Sequence, residues 1–170
     1  MSAERVMALL PPMLAKVAEL DPAAATDPQR ASGVLAALRE AFPEDGEAVR
    51  ELGAALNAGV ADGTICNRGD ENARFCRLAK ATEATHGLSI DVVSLKGAAL
   101  EHTHPNGEVT LGFAATDQDG AARFDGHAPG WVFMPPGSRH VPTVDGGRMF
   151  LIYFLPDGAV TWHPESSTSG

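Results

Sequence analysis

Three histidines and one glutamate are spaced along this chain in a pattern that can hold a metal ion. His102 and His104 stand at positions i and i+2, so on a β-strand both imidazoles point to the same face. Glu108 follows after a Pro-Asn-Gly sequence, which favours a tight turn and allows the chain to rejoin that face. His140 comes on a separate segment, behind a Pro-Pro-Gly turn. Divalent transition metals accept imidazole and carboxylate ligands, so these four residues are predicted to bind one ion.

Two interpretations of these residues remain open at this point. In the first they coordinate a metal that keeps positions free for water or substrate, and Fe, Mn, Zn, Ni and Co all suit the ligand types. In the second they form a hydrogen-bonded polar pocket without metal, because a His-X-His pair by itself is more often part of a surface strand or loop. The addition of Glu108 and His140 to the pair favours the metal site.

The same residues fall within two segments that resemble the motifs of the cupin superfamily. Gly97 precedes the segment from His102 to Glu108, as in the first cupin motif, and Gly130 precedes the segment that ends at His140, as in the second. Each glycine stands one residue closer than is usual, which affects turns and strand length and leaves the predicted ligands in place. The resemblance covers about residues 88–162 and implies one small antiparallel β-barrel, a jelly roll.

A narrower resemblance spans nearly the whole chain. The order of its motifs resembles the 4-hydroxylaminobenzoate lyase family, small bacterial cupin-like proteins of nitroaromatic degradation. The segments that carry it are RLAK (77–80), HGLSID (86–91), HPNGE (104–108), RFDGH (123–127), GWV (130–132), HVPTV (140–144) and GGRM (146–149). It implies an enzyme that converts 4-hydroxylaminobenzoate to 3,4-dihydroxybenzoate and releases ammonia, with a metal acting as Lewis acid on the hydroxylamino oxygen.

A small aromatic acid as substrate implies further site residues. Its carboxylate needs a cation, for which Arg77 and Lys80 are the candidates, although either can instead be solvated or paired with a neighbouring acid. Arg139 and Arg148 are weaker candidates for the same role. The remaining candidates are aromatic or titrate near neutrality: Trp131 and Tyr153 as an aromatic wall, and His86 and His127 as acid–base groups.

Other functions remain open beside the lyase. A cupin dioxygenase would need redox-active iron and would consume oxygen. A non-catalytic cupin would bind a small ligand as a sensor or a store, and the absence of a recognisable DNA-binding motif counts mildly against a transcriptional sensor.

Composition restricts the class of protein. The 170 residues carry a formal net charge of −9, which disfavours binding to nucleic acid and to anionic lipid. The chain begins without a basic, apolar leader and has no apolar run long enough for a membrane span, so we predict a cytoplasmic protein, with a homodimer as the expected assembly. Cys66 and Cys76 are predicted to flank a hairpin as reduced thiols, although a disulfide between them is geometrically conceivable.

The elements that position the site change character near residue 65. Before it, three apolar stripes at helical spacing predict an N-terminal helical segment, in which Pro11 and Pro12 split the first helix and Asp27 caps the second. After it, apolar residues alternate and turns are frequent, which is typical of strands. Turns are predicted at 117–120 and 145–147, and the apolar run at 149–155 is predicted to be a strand buried on both faces. We therefore predict a mainly β protein (α+β overall), with a helical segment at 1–64, a cupin-like barrel at 65–164 and a flexible tail at 165–170.

Overall fold

Four helices form the N-terminal part of the computed structural model, which describes residues 2–115 and 121–163. Their bounds are Ser2–Leu9 (α1), Pro11–Leu20 (α2), Pro28–Ala41 (α3) and Glu47–Ala61 (α4), with a short 3-10 helix at Pro22–Ala24. The prolines split α1 from α2 as predicted, since Pro11 occupies the first position of α2. The Asp27 side chain accepts a hydrogen bond of 2.8 Å from the Arg30 amide, which confirms the predicted N-cap.

Ten strands follow within the described part of the chain, all paired antiparallel in two sheets. They are Arg68–Gly69 (β1), Ala73–Ala79 (β2), Leu88–Ala98 (β3), His102–His104 (β4), Glu108–Ala114 (β5), Arg123–Phe124 (β6), Gly130–Met134 (β7), Ser138–His140 (β8), Thr143–Pro156 (β9) and Thr161–Trp162 (β10). One sheet has the order β1-β2-β3-β9-β5-β7, with β6 also paired to β9, and the other has the order β10-β4-β8. The predicted mainly β, cupin-like architecture with an N-terminal helical segment is confirmed.

The larger sheet buries both of its faces, which explains why its central strands are so apolar. On the outer face, Val109 and Leu111 join Ile152 and Phe154 in one core with the buried residues of the helices. On the inner face, Leu151 and Leu155 belong to a second apolar cluster. Successive residues of a strand point to opposite faces, so β5 turns Val109 toward the helices and its neighbour Glu108 inward. The helices therefore hold the sheet from outside, while the site lies on the inner face.

Strand β9 is the centre of the larger sheet, between β3 and β5. The apolar run from 149 to 155 was predicted as a strand buried on both faces, and this is confirmed. The predicted turn at Asp145-Gly146-Gly147 is wrong, because these residues lie within β9. The register between β3 and β9 shifts there, from Leu95 opposite Met149 to Gly97 opposite Val144, so the extra residues of β9 are absorbed as a bulge.

The other predictions from composition have mixed outcomes. Cys66 and Cys76 are free thiols beside the β1–β2 hairpin, and the Cys66 amide donates to the Cys76 sulfur at 3.2 Å. Among the described residues no helix combines the length and the apolar character needed to cross a membrane. The domain limits, the cytoplasmic location and the homodimer stay predictions. The predicted turn at 117–120 and tail at 165–170 lie outside the described residues.

Candidate metal centre

The four predicted ligands come together between the two sheets. Strands β4 and β8 pair in the smaller sheet with His102 directly opposite His140. After His104 the chain turns at residues 105–107, where the Gly107 amide donates to the His104 carbonyl and Gly107 takes a φ of +86°. This turn carries the chain from the smaller sheet to the larger one, because Glu108 begins β5. The carboxylate therefore faces the three imidazoles from the opposite sheet.

The donor atoms of these side chains crowd around a common point. The Nε2 atom of His104 lies 2.8 Å from Nε2 of His102, 3.1 Å from Nε2 of His140 and 2.9 Å from Oε1 of Glu108. One donor atom from each of the four residues lies within 4.8 Å of every other. His102, His104 and Glu108 are buried and His140 is half-buried. The predicted convergence of the four side chains is thus present.

Hydrogen bonds at Nδ1 fix the tautomers of two of the imidazoles, those of His102 and His140. Nδ1 of His102 lies 3.0 Å from the Leu100 carbonyl, and Nδ1 of His140 lies 2.7 Å from Oδ2 of Asp125. A carbonyl and a carboxylate only accept, so both Nδ1 atoms carry the proton and donate it. In the neutral rings of His102 and His140 the Nε2 lone pairs then point toward Nε2 of His104. Both rings can therefore offer an electron pair to a metal ion at the centre of the group.

The surroundings shift the pKa values of His102 and His140 in opposite directions. Burial, with the adjacent His104 ring, lowers the pKa of His102 to about 4, so this imidazole is neutral at pH 7. Burial also disfavours the charged form of His140. The hydrogen bond to Asp125 and the negative charges of Glu108 and Asp125 outweigh that effect and raise its pKa above the ordinary value. The group therefore combines a neutral imidazole, His102, with one, His140, whose charged form is stabilised by Asp125 and Glu108.

Glu108 gives the clearest sign that a cation belongs here. Its side chain is fully buried, yet neither carboxylate oxygen accepts a hydrogen bond from a described residue. The contact with His104 at 2.9 Å has the distance of an ion pair but not the direction of a hydrogen bond. A buried carboxylate without partners is costly, and such groups are normally paired or coordinate metal. The residues fit a divalent metal, and four protein ligands leave positions free for a small molecule.

Two other predicted site residues lie on the inner face with Glu108. Arg77, Asp91, Tyr153 and Thr110 are consecutive cross-strand neighbours on β2, β3, β9 and β5, so they form one row on this face. Arg77 is tied to Asp91, with Nε 2.7 Å from Oδ1 and Nη2 3.3 Å from Oδ2, and its side chain is 43% exposed. The ion pair therefore involves Asp91 and not the acids next to it in sequence.

Tyr153 is buried in the same row. Its pKa is raised well above the ordinary value, chiefly by burial and further by the charges of Glu108 and Asp125, so its phenol stays neutral. The buried Thr110 hydroxyl next to it lacks a hydrogen-bond partner among the described residues.

The assignment of Trp131 to the wall of the metal pocket is wrong. Trp131 lies opposite Leu111 in the register of β5 and β7, which turns its ring to the outer face. There it packs with Phe42 and Phe154, and its indole N–H donates to the Phe42 carbonyl at 2.9 Å. The residue is buried core between sheet and helices, because the strand alternation leaves it no path to the site.

The remaining predicted residues stay away from the four ligands. His86 and His127 are exposed residues of turns, and neither belongs to the group of converging donors. Lys80 is exposed in the loop after β2. Of the weaker cation candidates, Arg139 is paired with Glu101, and Arg148 donates to Ser94. The proposed roles of His86, His127 and Lys80 stay predictions.

Sequence reasoning missed two neighbours of the ligands. Asp125 contacts His140. Two features could have predicted this contact: the Asp-Gly pair favours a hairpin turn, and a histidine that binds metal needs an acceptor for its second ring nitrogen. Trp162 stacks edge-on against His102 with ring centroids 5.0 Å apart, although it is 59% exposed. A cavity of about 240 Å³, lined by residues that include Glu44 and Phe113, lies away from the ligands.

Comparison with known proteins agrees with the resemblance seen in the sequence. The family model PnbB, described as 4-hydroxylaminobenzoate lyase, matches residues 21–162. A 4-hydroxylaminobenzoate lyase of Pseudomonas putida is 29% identical over 143 residues, which cover 74% of this chain and 80% of the relative. One of Nocardioides sp. (strain LMS-CY) is 26% identical over 132 residues, 74% and 78% of the two chains. An RmlC-like cupin protein from Ralstonia eutropha JMP134 aligns with a TM-score of 0.42 at 14% identity, over 57% of this chain and 63% of that one.

Proposed function

Because the chain belongs to the 4-hydroxylaminobenzoate lyase family, we propose that it is a metal-dependent lyase of hydroxylamino-aromatic acids. Its substrate is 4-hydroxylaminobenzoate, and its products are 3,4-dihydroxybenzoate and ammonia. The observation that supports the metal dependence is the fully buried Glu108 carboxylate, which accepts no hydrogen bond from the described residues and faces three imidazole nitrogens.

The reaction balances with one molecule of water and no oxidant. The N–O bond of the hydroxylamino group breaks and its hydroxyl leaves as water. A second water adds its oxygen to the ring carbon beside the one that carries nitrogen. A third water hydrolyses the resulting imine and releases ammonia, and the ring carbon that accepted oxygen loses its proton, so the net uptake is one water. A divalent ion held by His102, His104, Glu108 and His140 would supply Lewis acidity to the hydroxylamino oxygen as negative charge develops there. The protein residues bind the ring and keep it oriented for this bond cleavage.

Tyr153 suits the role of orienting the ring. It lies on the inner face one strand away from Thr110, whose buried hydroxyl lacks a partner among the described residues. Burial keeps the phenol neutral, so it remains a hydrogen-bond donor at neutral and moderately alkaline pH. We assign it to a polar group of the bound substrate, with its ring as one apolar wall.

Arg77 suits the role of binding the substrate carboxylate. It stands at the far end of the row that runs from Thr110 through Tyr153 and Asp91, three strands away from Glu108 in the sheet. Strands are spaced by about 4.8 Å, so the row places a cation well away from the metal ligands, as a para-substituted benzoate requires. Asp91 holds the guanidinium in a fixed orientation, and its remaining N–H groups can bind a carboxylate. Lys80, His86 and His127 remain weaker candidates for substrate and proton contacts.

The test is product analysis with purified protein loaded with each candidate metal. Incubation with 4-hydroxylaminobenzoate under nitrogen should yield ammonia and 3,4-dihydroxybenzoate in equal amounts, and His104→Ala should abolish both products. Dependence of turnover on oxygen uptake would favour a cupin dioxygenase instead. Tight binding of the benzoate without any product would favour a ligand-binding cupin.

A further inference from the structure

A carboxylate outside the ligand group contacts one of its imidazoles. We propose that Asp125 is the positioning residue of the metal centre: it holds His140 in the Nδ1–H tautomer, with Nε2 free to bind the ion. This inference rests on the metal site of the proposed function. Asp125 itself belongs to no ligand set, because its oxygens face the outer side of the His140 ring.

Both oxygens of Asp125 are committed as acceptors. Oδ2 lies 2.7 Å from Nδ1 of His140, and Oδ1 accepts a hydrogen bond of 2.9 Å from the amide of Thr143. The amide of Asp125 in turn donates to the Thr143 carbonyl at 2.8 Å. The carboxylate is therefore anchored on the first residue of β9 and has only one oxygen left for the imidazole.

The backbone around Asp125 is fixed by a tight hairpin. Asp125 and Gly126 have φ values of +46° and +84°, the positive pair that a two-residue type I′ turn requires. Phe124 and His127 close the turn with reciprocal backbone hydrogen bonds of 2.9 and 2.7 Å. Asp tolerates the left-handed conformation better than most residues, so turn and carboxylate position come from the same residue.

Asp125 makes the three imidazoles unequal. His102 donates through Nδ1 to a neutral carbonyl, while Nδ1 of His104 is buried without a partner among the described residues. Only His140 of the three donates to a carboxylate there. A negative acceptor on the outer nitrogen makes the inner nitrogen a stronger electron donor, and it orients the ring. His140 is also the least buried of the four candidate ligands, so packing alone restrains its ring less than it restrains the others.

The test replaces Asp125 with Asn, which keeps the shape but offers only one acceptor oxygen for two donors. Asp145→Asn is the matched control, because Asp145 is exposed on β9 opposite Arg123 of the same hairpin. Affinity for Co²⁺, measured by competition with a chromophoric chelator, should fall about 10- to 100-fold in D125N and stay unchanged in D145N. Equal affinity of D125N and wild type overturns the inference. Failure of the wild type to bind Co²⁺ and the other candidate metals overturns the metal centre as well.

A double-mutant cycle separates positioning from a general effect on the fold. In a His140→Ala background, D125N should have almost no further effect on Co²⁺ affinity, because Asp125 acts through the imidazole that has been removed. If D125N lowered Co²⁺ affinity by the same factor in both backgrounds, Asp125 would act through a group other than His140. Nitrogen NMR of the metal-free wild type gives an answer even if D125N does not fold. At alkaline pH, His140 should carry its proton on Nδ1, and a proton on Nε2 overturns the inference.

Discussion

Oε1 of Glu108 lies 2.9 Å from Nε2 of His104, although the two residues belong to opposite sheets. They are four residues apart in the chain, and the turn at 105–107 brings them face to face across the barrel interior. Neither oxygen of the carboxylate accepts a hydrogen bond from a described residue, so this buried acid lacks the donors that usually stabilise such a group. We therefore expect a bound metal ion to stabilise the protein.

Glu108→Gln should raise the stability of the metal-free protein. The amide removes the buried charge at nearly constant volume, and an unsatisfied buried charge costs about 1–3 kcal/mol or more. Thermal unfolding in chelator should therefore shift upward, by about 2–4 °C for each kcal/mol in a chain of this size. Glu40→Gln, an exposed change on α3, is the control and should leave the midpoint in place. A lower midpoint for E108Q than for wild type contradicts the interpretation.

Addition of metal should reverse that order of stability. A ligand that binds only the folded protein adds about 2.7 kcal/mol at a concentration of 100 Kd. Wild type should gain this stabilisation with Zn²⁺ or Co²⁺ and lose it again with chelator, as followed by calorimetry. The stabilisation of E108Q by metal should be much smaller, because only three of the four candidate ligands remain. An identical gain in both proteins would place the metal elsewhere.

Arg77→Met should weaken binding of a benzoate substrate selectively. Loss of a charge-assisted hydrogen bond costs about 1.5–3 kcal/mol, so KM should rise roughly 10- to 150-fold for 4-hydroxylaminobenzoate. KM for uncharged phenylhydroxylamine should change little. Arg74→Met is the matched control, since Arg74 lies on the same strand opposite Ser94, on the outer face. Equal effects of R77M on both substrates mean that Arg77 serves the fold through Asp91.

Tyr153→Phe should separate binding from folding. Phenylalanine keeps the ring and its contact with Phe124, so the change should alter the free energy of unfolding by less than about 0.5 kcal/mol. Substrate binding should weaken by about 0.5–1.5 kcal/mol, the contribution of one hydrogen bond, and metal affinity should be unchanged. Titration calorimetry with the metal and with a substrate analogue measures the two effects separately. Unaltered analogue affinity would remove Tyr153 from the binding site.

Trp131→Phe should lower the stability of the protein and leave substrate binding unchanged, the reverse of the effect expected for Tyr153→Phe. The change removes the donor to the Phe42 carbonyl and leaves space in the core, so the free energy of unfolding should fall by about 1–3 kcal/mol. The kinetic constants of the folded enzyme should stay near those of wild type, because the ring lies on the outer face. Trp162→Phe serves as the stability control, since this tryptophan is 59% exposed. A fall in kcat without loss of stability would return Trp131 to the site.

The sequence by itself determined the local elements and which four side chains would converge as candidate ligands. Asp27 and Pro28 specify the start of α3 because a side-chain acceptor and a fixed φ act within one turn of helix. The His-X-His spacing specifies one face of a strand for the same reason, since the alternation of side chains is local. The family motifs added the expected fold and the expected chemistry.

Only the tertiary structure decided which face each strand turns toward the site and which partner each side chain finds. Trp131 and Tyr153 both suit an aromatic wall by residue type, and the sheet register alone separates them, because it places Trp131 beside Leu111 and Tyr153 beside Thr110. Asp125 and His140 are fifteen residues apart, and their 2.7 Å contact depends on how two hairpins dock. Such contacts join segments that are distant in sequence, so no local propensity encodes them.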